Sequence, residues 1–182
     1  MLHPWSVEDS KTSYQDRWLK IRSDRCIRSD GFVIEPYHVI ECGTWVCVVA
    51  LTSDHQVVLT REYRHGAKCI GTGLPGGGIE KTDNEPKASA IRELREETGY
   101  CCSTWHELGR SYANWANHTN EIVFFLGLNA TKTVDQTLDE NEEIDVVLMP
   151  WEAYIQSAVE TVSQAYHVAA LFHAKQFLER AD

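Results

Sequence analysis

The sequence predicts an α/β fold, and three stretches carry the prediction. Residues 44–51, TWVCVVAL, form a nearly continuous apolar run, which reads as a strand buried on both faces. A glycine-rich turn at Gly76, Gly77 and Gly78 leads into a helix bounded by Pro86 and Gly99, residues suited to a first turn and to a left-handed C-terminal cap. From Pro150 onward the apolar residues recur at helical spacing. With 182 residues, 43% of them hydrophobic and 10% aromatic, the chain can build one substantial core. The expected division is an N-terminal extension over 1–43 and a main domain over 44–182.

In chain order, residues 1–15 are polar and are expected to be loose. Runs at 18–22, 25–28 and 31–41 then alternate in strand fashion between turn residues and predict a small antiparallel sheet. Such a sheet without a helix of its own cannot readily cover an apolar face, which is a reason to expect it to dock on a partner. Residues 56–64, QVVLTREYR, form the next strand after a turn at Ser53 and Asp54. The glycine turn lets backbone approach a ligand without an intervening side chain.

On the helix that follows, about 100° of rotation per residue puts Ala90, Ile91 and Leu94 on one side. Glu93, Glu96 and Glu97 gather opposite them at neighbouring i, i+3 and i+4 offsets. Like charges so placed destabilise a helix by roughly 0.2–0.5 kcal/mol per pair, so a cation is expected against them. Arg92 and Arg95 relieve part of the repulsion. A hard divalent cation relieves more, and Mg²⁺, with Mn²⁺ as the alternative, takes one or two carboxylates together with substrate phosphates and water. The competing reading is a solvated charged face.

Strands are expected at 105–112 and 121–128, with the loop ANWANHTN between them, and at 145–149 after a polar acidic stretch over 131–143 that reads as a mobile loop. The helical end carries Tyr154, Ile155, Ala158, Val159 and Val162, a break near Ser163, then Val168, Ala169, Phe172 and Leu178 as core stripes.

The net charge of −10 disfavours gripping a nucleic-acid backbone through phosphate neutralisation, so no nucleic-acid partner is expected. Cysteines at 26, 42, 47, 69, 101 and 102 include no CxxC pair and read as reduced thiols, pointing to the cytoplasm. The opening MLHPWSVEDS has neither a basic start nor an apolar run, and no stretch of about 18 apolar residues occurs, so neither a signal peptide nor a membrane span is expected.

The string Arg92-Glu93-Leu94-Arg95-Glu96-Glu97-Thr98-Gly99 resembles the second half of the Nudix box: Gly, five residues, Glu, seven residues, then Arg-Glu-U-x-Glu-Glu-x-Gly-U, with U aliphatic. Counting back from Arg92 puts Asn84 where the first Glu belongs, with Glu80 and Glu85 nearby, as though the loop had gained one residue; Tyr100 stands at the last aliphatic position. The resemblance implies a Nudix-type α/β/α sandwich with a mixed sheet. It also implies a metal site on Glu93, Glu96 and Glu97 with the Gly76 carbonyl, Glu96 counting among the catalytic groups as well.

Glu62-Tyr63-Arg64 resembles a strand end of the ADP-ribose pyrophosphatase branch, where the arginine contacts a diphosphate; Arg64 offers the planar donor fork for that, beside Glu62. The acidic loop resembles one whose glutamate is a general base, here Glu140 with Glu142 second. Trp115 stands where that branch commonly has a proline and either stacks on a base or sugar or serves packing. His118 reads as a loop hydrogen-bonder. The N-terminal strands resemble an extension exchanged between the two subunits of a homodimer, where it builds part of the pocket.

The function so implied is Mg²⁺-dependent hydrolysis of ADP-ribose or a related nucleoside diphosphate sugar to a nucleoside monophosphate and a sugar phosphate. Two rivals are a pyrophosphatase clearing nucleoside triphosphates and a nucleotide-binding module without catalysis.

Overall fold

The computed structural model describes residues 2–160 and 164–181. The chain divides into two compact units, Met1–Gly43 with Tyr112–Glu121, and Thr44–Ser111 with Ile122–Asp182.

The first unit is a three-stranded antiparallel sheet in the order β1 (Ser6–Gln15), β2 (Lys20–Ile27), β3 (Val33–Glu41). Residues 6–15, expected to be loose, form its longest strand. Every residue of β1 is exposed, so no apolar alternation marks it, and it is held in the sheet by its ladder to β2 alone. The separate runs at 18–22 and 25–28 merge into one strand, with a bulge between Asp24 and Cys26 where the turn was expected. Polar side chains lock these strands together: Ser10 donates to Asp24 at 2.6 Å, and Arg22 spans Asp24 and Glu41 at 3.0 and 2.8 Å. The 112–121 segment joins the unit through backbone bonds such as Ile40 N–H to Asn117 O at 2.7 Å.

In the second unit the strands β4 (Trp45–Leu51), β5 (Gln56–Arg64), β6 (Cys69–Gly73), β8 (Thr104–Tyr112), β9 (Glu121–Leu128) and β11 (Asp145–Pro150) build a sheet ordered β11-β5-β4-β9-β8, with β6 beside β5. It is mixed: β4 runs parallel to β9, while β5 is antiparallel to β4, β6 and β11. A two-stranded ladder joins β7 (Tyr100–Cys101) to β10 (Thr131–Lys132). β6 and this ladder went unread because they are short and β6 is rich in glycine.

The period-2 alternation of β4 explains its continuous apolar run. Cys47, Val49 and Leu51 enter a core with Phe124, Leu126, Tyr154, Ala170 and Leu171, on the side of α2 (Trp151–Glu160) and α3 (Ala165–Ala181). Val46, Val48 and Ala50 enter a second core with Ala90 and Leu94 of α1 (Pro86–Thr98). Helices thus cover both faces, the expected α/β/α arrangement.

Two stripes need correction. Ile91 of α1 is 38% exposed, and the helix buries Ser89, Ala90, Leu94, Glu97 and Thr98 instead. On α3, Val168 and Phe172 face solvent, whereas His167, Ala170, Leu171 and Ala174 are buried, because the rotation of the helix turns those positions toward the sheet. Val162 and the break at Ser163 lie outside the described residues. All six cysteines are free thiols. Among the described residues no helix is long and apolar enough to cross a membrane.

Candidate active site

The glycine turn runs along β4 as an irregular continuation of the sheet. Val48 N–H donates to Pro75 O at 2.9 Å and Val46 N–H to Gly77 O at 2.8 Å. These bonds tie down the carbonyls on either side of Gly76. The Gly76 carbonyl itself has no backbone donor among the described residues, and Gly76 lines a cleft of about 350 Å³. A Cβ on Gly76 would sit 2.2 Å from Val46 O, so no side chain fits there, and one on Gly77 would lie 2.5 Å from Glu93 Oε1 and push that carboxylate aside.

α1 begins at Pro86 without a side-chain cap and stops at Gly99, whose φ of 76° closes it in the left-handed conformation. That length aims Glu93, Glu96 and Glu97 at the glycine turn. Glu97 is 6% exposed and accepts the Gly76 N–H at 3.0 Å. Burial pushes its carboxyl up to about 8, against the Gly76 bond and aided by Glu93 and Glu142. Glu93 is pushed up to about 7, again chiefly by burial, with Arg92 opposing. Glu97 therefore belongs to the buried side of the helix, where its charge has no water to spread into.

Arg92 is the resident cation. Its guanidinium reaches Glu93 at 2.9 Å, Glu96 at 3.0 Å, Gly78 O at 3.0 Å and Asp83 at 3.0 Å. Arg95 lies exposed on the helix. Asp83 also accepts from Ser89 Oγ at 2.8 Å and Glu80 N–H at 3.0 Å; the Arg92 bond, then these, hold its carboxyl down at about 2. Sequence reading missed Asp83, weighing Asn84, Glu80 and Glu85 instead. The signal was available by counting forward: five residues separate Gly77 from Asp83, and the added residue falls between Asp83 and Arg92.

The acidic loop is pinned at its start, not free along its whole length. Gln136 Nε2 donates to Glu97 O at 2.6 Å and to Ile144 O at 3.0 Å, and Thr137 N–H donates to Glu96 O at 2.9 Å. These bonds satisfy carbonyls at the end of α1 and hold the loop over the cleft. Asp139 and Glu142 line the cleft, with Glu142 bonded to Asp139 N–H at 2.9 Å. Glu140 is exposed and stands outside the lining.

Glu62 and Arg64 form an ion pair at 2.5 Å near the end of β5. Burial first, and then Glu142, raise the Glu62 carboxyl, with Arg64 opposing. Trp115 belongs to the first unit, 86% exposed, and so does His118, which bridges Ile40 through its backbone.

The donors facing the cleft are all oxygens, the set a hard cation prefers. Among the described residues no three His, Cys, Asp or Glu side chains are gathered into a ready-made ion cage, since Arg92 occupies Glu93 and Glu96. An open set of carboxylates, with Glu97 buried and Glu96 half-exposed, suits Mg²⁺, which keeps waters and takes substrate phosphate oxygens for its remaining positions.

An α/β/α sandwich that holds a helix-borne carboxylate cluster against a glycine turn defines the class of protein. Residues 44–171 match the family model described as the NUDIX domain, and residues 5–40 match one described as the nucleoside diphosphate sugar hydrolase N-terminal domain. The chain belongs to the NUDIX family.

Among curated relatives, it is 30% identical over 113 residues to the methanol dehydrogenase activator of Bacillus methanolicus, covering 61% of this chain and 60% of that protein. It is 27% identical over 137 residues to the ADP-ribose pyrophosphatase of Bacillus subtilis, covering 74% and 71%. A third relative, the ADP-ribose pyrophosphatase of Mycobacterium tuberculosis, is 30% identical over 106 residues, covering 58% and 51%. The alignments thus span about half to seven tenths of these relatives' lengths. A crystal structure described as an ADP compounds hydrolase shares the fold, with a TM-score of 0.86 over 100% of this chain and 97% of its own at 21% identity.

Proposed function

We infer that the chain is a divalent-metal-dependent hydrolase that cleaves the diphosphate of ADP-ribose or a related nucleoside diphosphate sugar, releasing a nucleoside monophosphate and a sugar phosphate. The observation that carries this reading is the convergence of Glu93, Glu96 and Glu97 on a side-chain-free wall at Gly76 and Gly77. The part-buried Glu93 and the buried Glu97, whose protons are held to about 7 and 8, are charge awaiting a cation. The relatives described as ADP-ribose pyrophosphatases and the N-terminal domain match support the substrate class.

Glu93, Glu96, Glu97 and the Gly76 carbonyl would hold Mg²⁺, or Mn²⁺ in its place. The ion, when bound, neutralises diphosphate charge and acidifies a coordinated water. Arg64 steadies a phosphate oxygen, and Arg92 with Asp83 keeps the helix carboxylates aimed at the turn. The proton of the attacking water goes to the acidic loop. Glu142 lines the cleft and would act as the base from that position, whereas Glu140 would take that role after a shift of the loop on binding. The strands over 5–40, which match the nucleoside diphosphate sugar hydrolase N-terminal domain, would pair two copies into a homodimer and add to the substrate pocket. Trp115 is assigned to substrate stacking as part of the same reading.

A product screen over ADP-ribose, sugar nucleotides, dinucleoside polyphosphates and nucleoside triphosphates, with Mg²⁺ or Mn²⁺, tests this. Release of a nucleoside monophosphate and a sugar phosphate is expected. Release of pyrophosphate from nucleoside triphosphates alone would overturn the substrate assignment, and binding without turnover would overturn the enzyme.

A further inference from the structure

A second cavity, of about 450 Å³, lies in the main unit beside the carboxylate cleft. Its floor is one face of the β5–β6 hairpin. The register pairs Thr60 with Gly73, Glu62 with Gly71 and Arg64 with Cys69, so these six residues share that face. Glycine is a poor strand residue, and two of them two apart hollow out the floor. The space over Gly73 is filled: a Cβ there would lie 2.4 Å from His167 Cε1 of α3. Over Gly71 the space stays open, since a Cβ there would meet only Arg64 Cγ, at 3.8 Å.

His167 and Tyr166 stand across from that floor. His167 is 8% exposed, its ring lines the cavity, and the imidazole nitrogens have no hydrogen-bond partner among the described residues. Burial, and then Arg64, hold the ring neutral by lowering it to about 4, so it offers one donor and one acceptor. The Tyr166 and His167 rings meet at 90° with centroids 4.7 Å apart. Perpendicular rings make a corner, whereas a flat base sandwiched between two rings needs them parallel. A corner bordered by a neutral imidazole, hydroxyls and the Glu62 carboxylate suits a compact ring whose hydroxyls both donate and accept. Arg64 at the rim suits the phosphate attached to such a ring.

Glu62 links this cavity electrostatically to the cleft: it lines the cavity, and its carboxyl exchanges charge effects with Glu97 and Glu142, which line the cleft. Trp45 stands between the glycine turn and the corner, its indole 4.0 Å from where a Gly78 Cβ would lie and edge-on to Tyr166 at 6.5 Å. We propose that the cavity over Gly71, between the Glu62–Arg64 pair and the Tyr166–His167 corner, binds the sugar phosphate arm of the substrate and sets which sugars are accepted. This rests on the diphosphate sugar reading above.

The test is a graded filling of the floor, with folding checked by circular dichroism. Gly71→Ala, whose Cβ fits at ordinary contact distance, should leave KM for ADP-ribose within about threefold. Gly71→Leu should raise it at least about tenfold, the scale of a misfit in a closed pocket, with kcat changed less. A nucleoside diphosphate methyl ester, which has no sugar to place, should lose less than about threefold in kcat/KM. Tyr166→Phe, which keeps the ring and removes the hydroxyl, should raise KM for the sugar substrate several-fold and serves if the leucine variant does not fold.

Equal losses on the sugar and methyl substrates, or none on either, would overturn the assignment. A loss confined to dinucleoside diphosphates would overturn it in favour of a nucleobase occupant. Calorimetry with ribose 5-phosphate separates the two readings: binding to the wild type that Gly71→Leu abolishes supports the sugar compartment even if no diphosphate is cleaved, whereas hydrolysis untouched by Gly71→Leu leaves the enzyme and removes the compartment.

Discussion

Replacing Glu97 by Gln should destroy turnover and yet stabilise the metal-free protein at alkaline pH. The carboxylate is 6% exposed and titrates at about 8 in the fold against an ordinary 4.5. A raised carboxyl contributes stability that is fully present below about pH 4.5 and is lost as pH rises through about 8. Between about pH 5 and pH 8 the loss is on the order of 3 kcal/mol at 1.36 kcal/mol per pH unit. Glutamine keeps an oxygen for the Gly76 N–H, now 3.0 Å from Glu97 Oε2, and removes the ionisation.

For a chain of this size 1 kcal/mol moves the melting temperature by about 2–4 °C. Thermal melts in chelator should therefore show Glu97→Gln about 6–12 °C above the wild type at about pH 8, with the two converging at about pH 5. Excess Mg²⁺ should raise the wild type at about pH 8 and leave the variant nearly unmoved. A variant that melts at or below the wild type in chelator at about pH 8 would refute the claim that burial of this charge is a cost.

Chelation should abolish hydrolysis, and added Mg²⁺ or Mn²⁺ should restore it; full activity of Glu97→Gln without metal would sink the metal mechanism. Glu142→Gln should lower kcat by on the order of 10²–10⁴, the range for a lost general base, and Glu140→Gln by much less; the reverse pattern assigns the base to Glu140 on a shifted loop, and two silent changes remove the loop base altogether. Asp83→Asn should weaken the hold of Arg92 on Glu93 and Glu96 and lower kcat/KM by roughly tenfold, while removing a stability contribution that the wild type keeps above about pH 4 and loses toward about pH 2. Sedimentation should give twice the 20.7 kDa of one chain, and a fully active monomer would count against dimerisation through the N-terminal strands.

The central strand and the cleft helix were legible because each is specified locally. The apolar run at 44–51 has only one use in a sheet with two covered faces, and Pro86 and Gly99 mark the ends of α1 directly. β1 was illegible because its cause is not local: a wholly exposed polar strand is defined by its bonds to β2, which no periodicity announces. Ile91, Val168 and Phe172 were read as packing because hydrophobicity was taken for burial, whereas helix rotation had placed neighbouring positions inward. Helical spacing also put Glu97 with the other glutamates, and only the fold shows that it is buried against Gly76. Asp83 was within reach of counting, but the extra residue before Arg92 had broken the count from the other side.

The contact of His167 with Gly73 works as a key in its lock. The ring occupies the room that a side chain at position 73 would need, and so brings α3 against the bare backbone of the sheet there. The two positions should then be inherited as a couple. Descendants of this chain that gain a methyl group at 73 should also shrink residue 167, and those that keep the bare glycine should remain free to vary their helix surface at Val168 and Phe172. Drift that ignores the couple would displace the C-terminal helix, so the glycine is read by selection through a residue almost a hundred positions away.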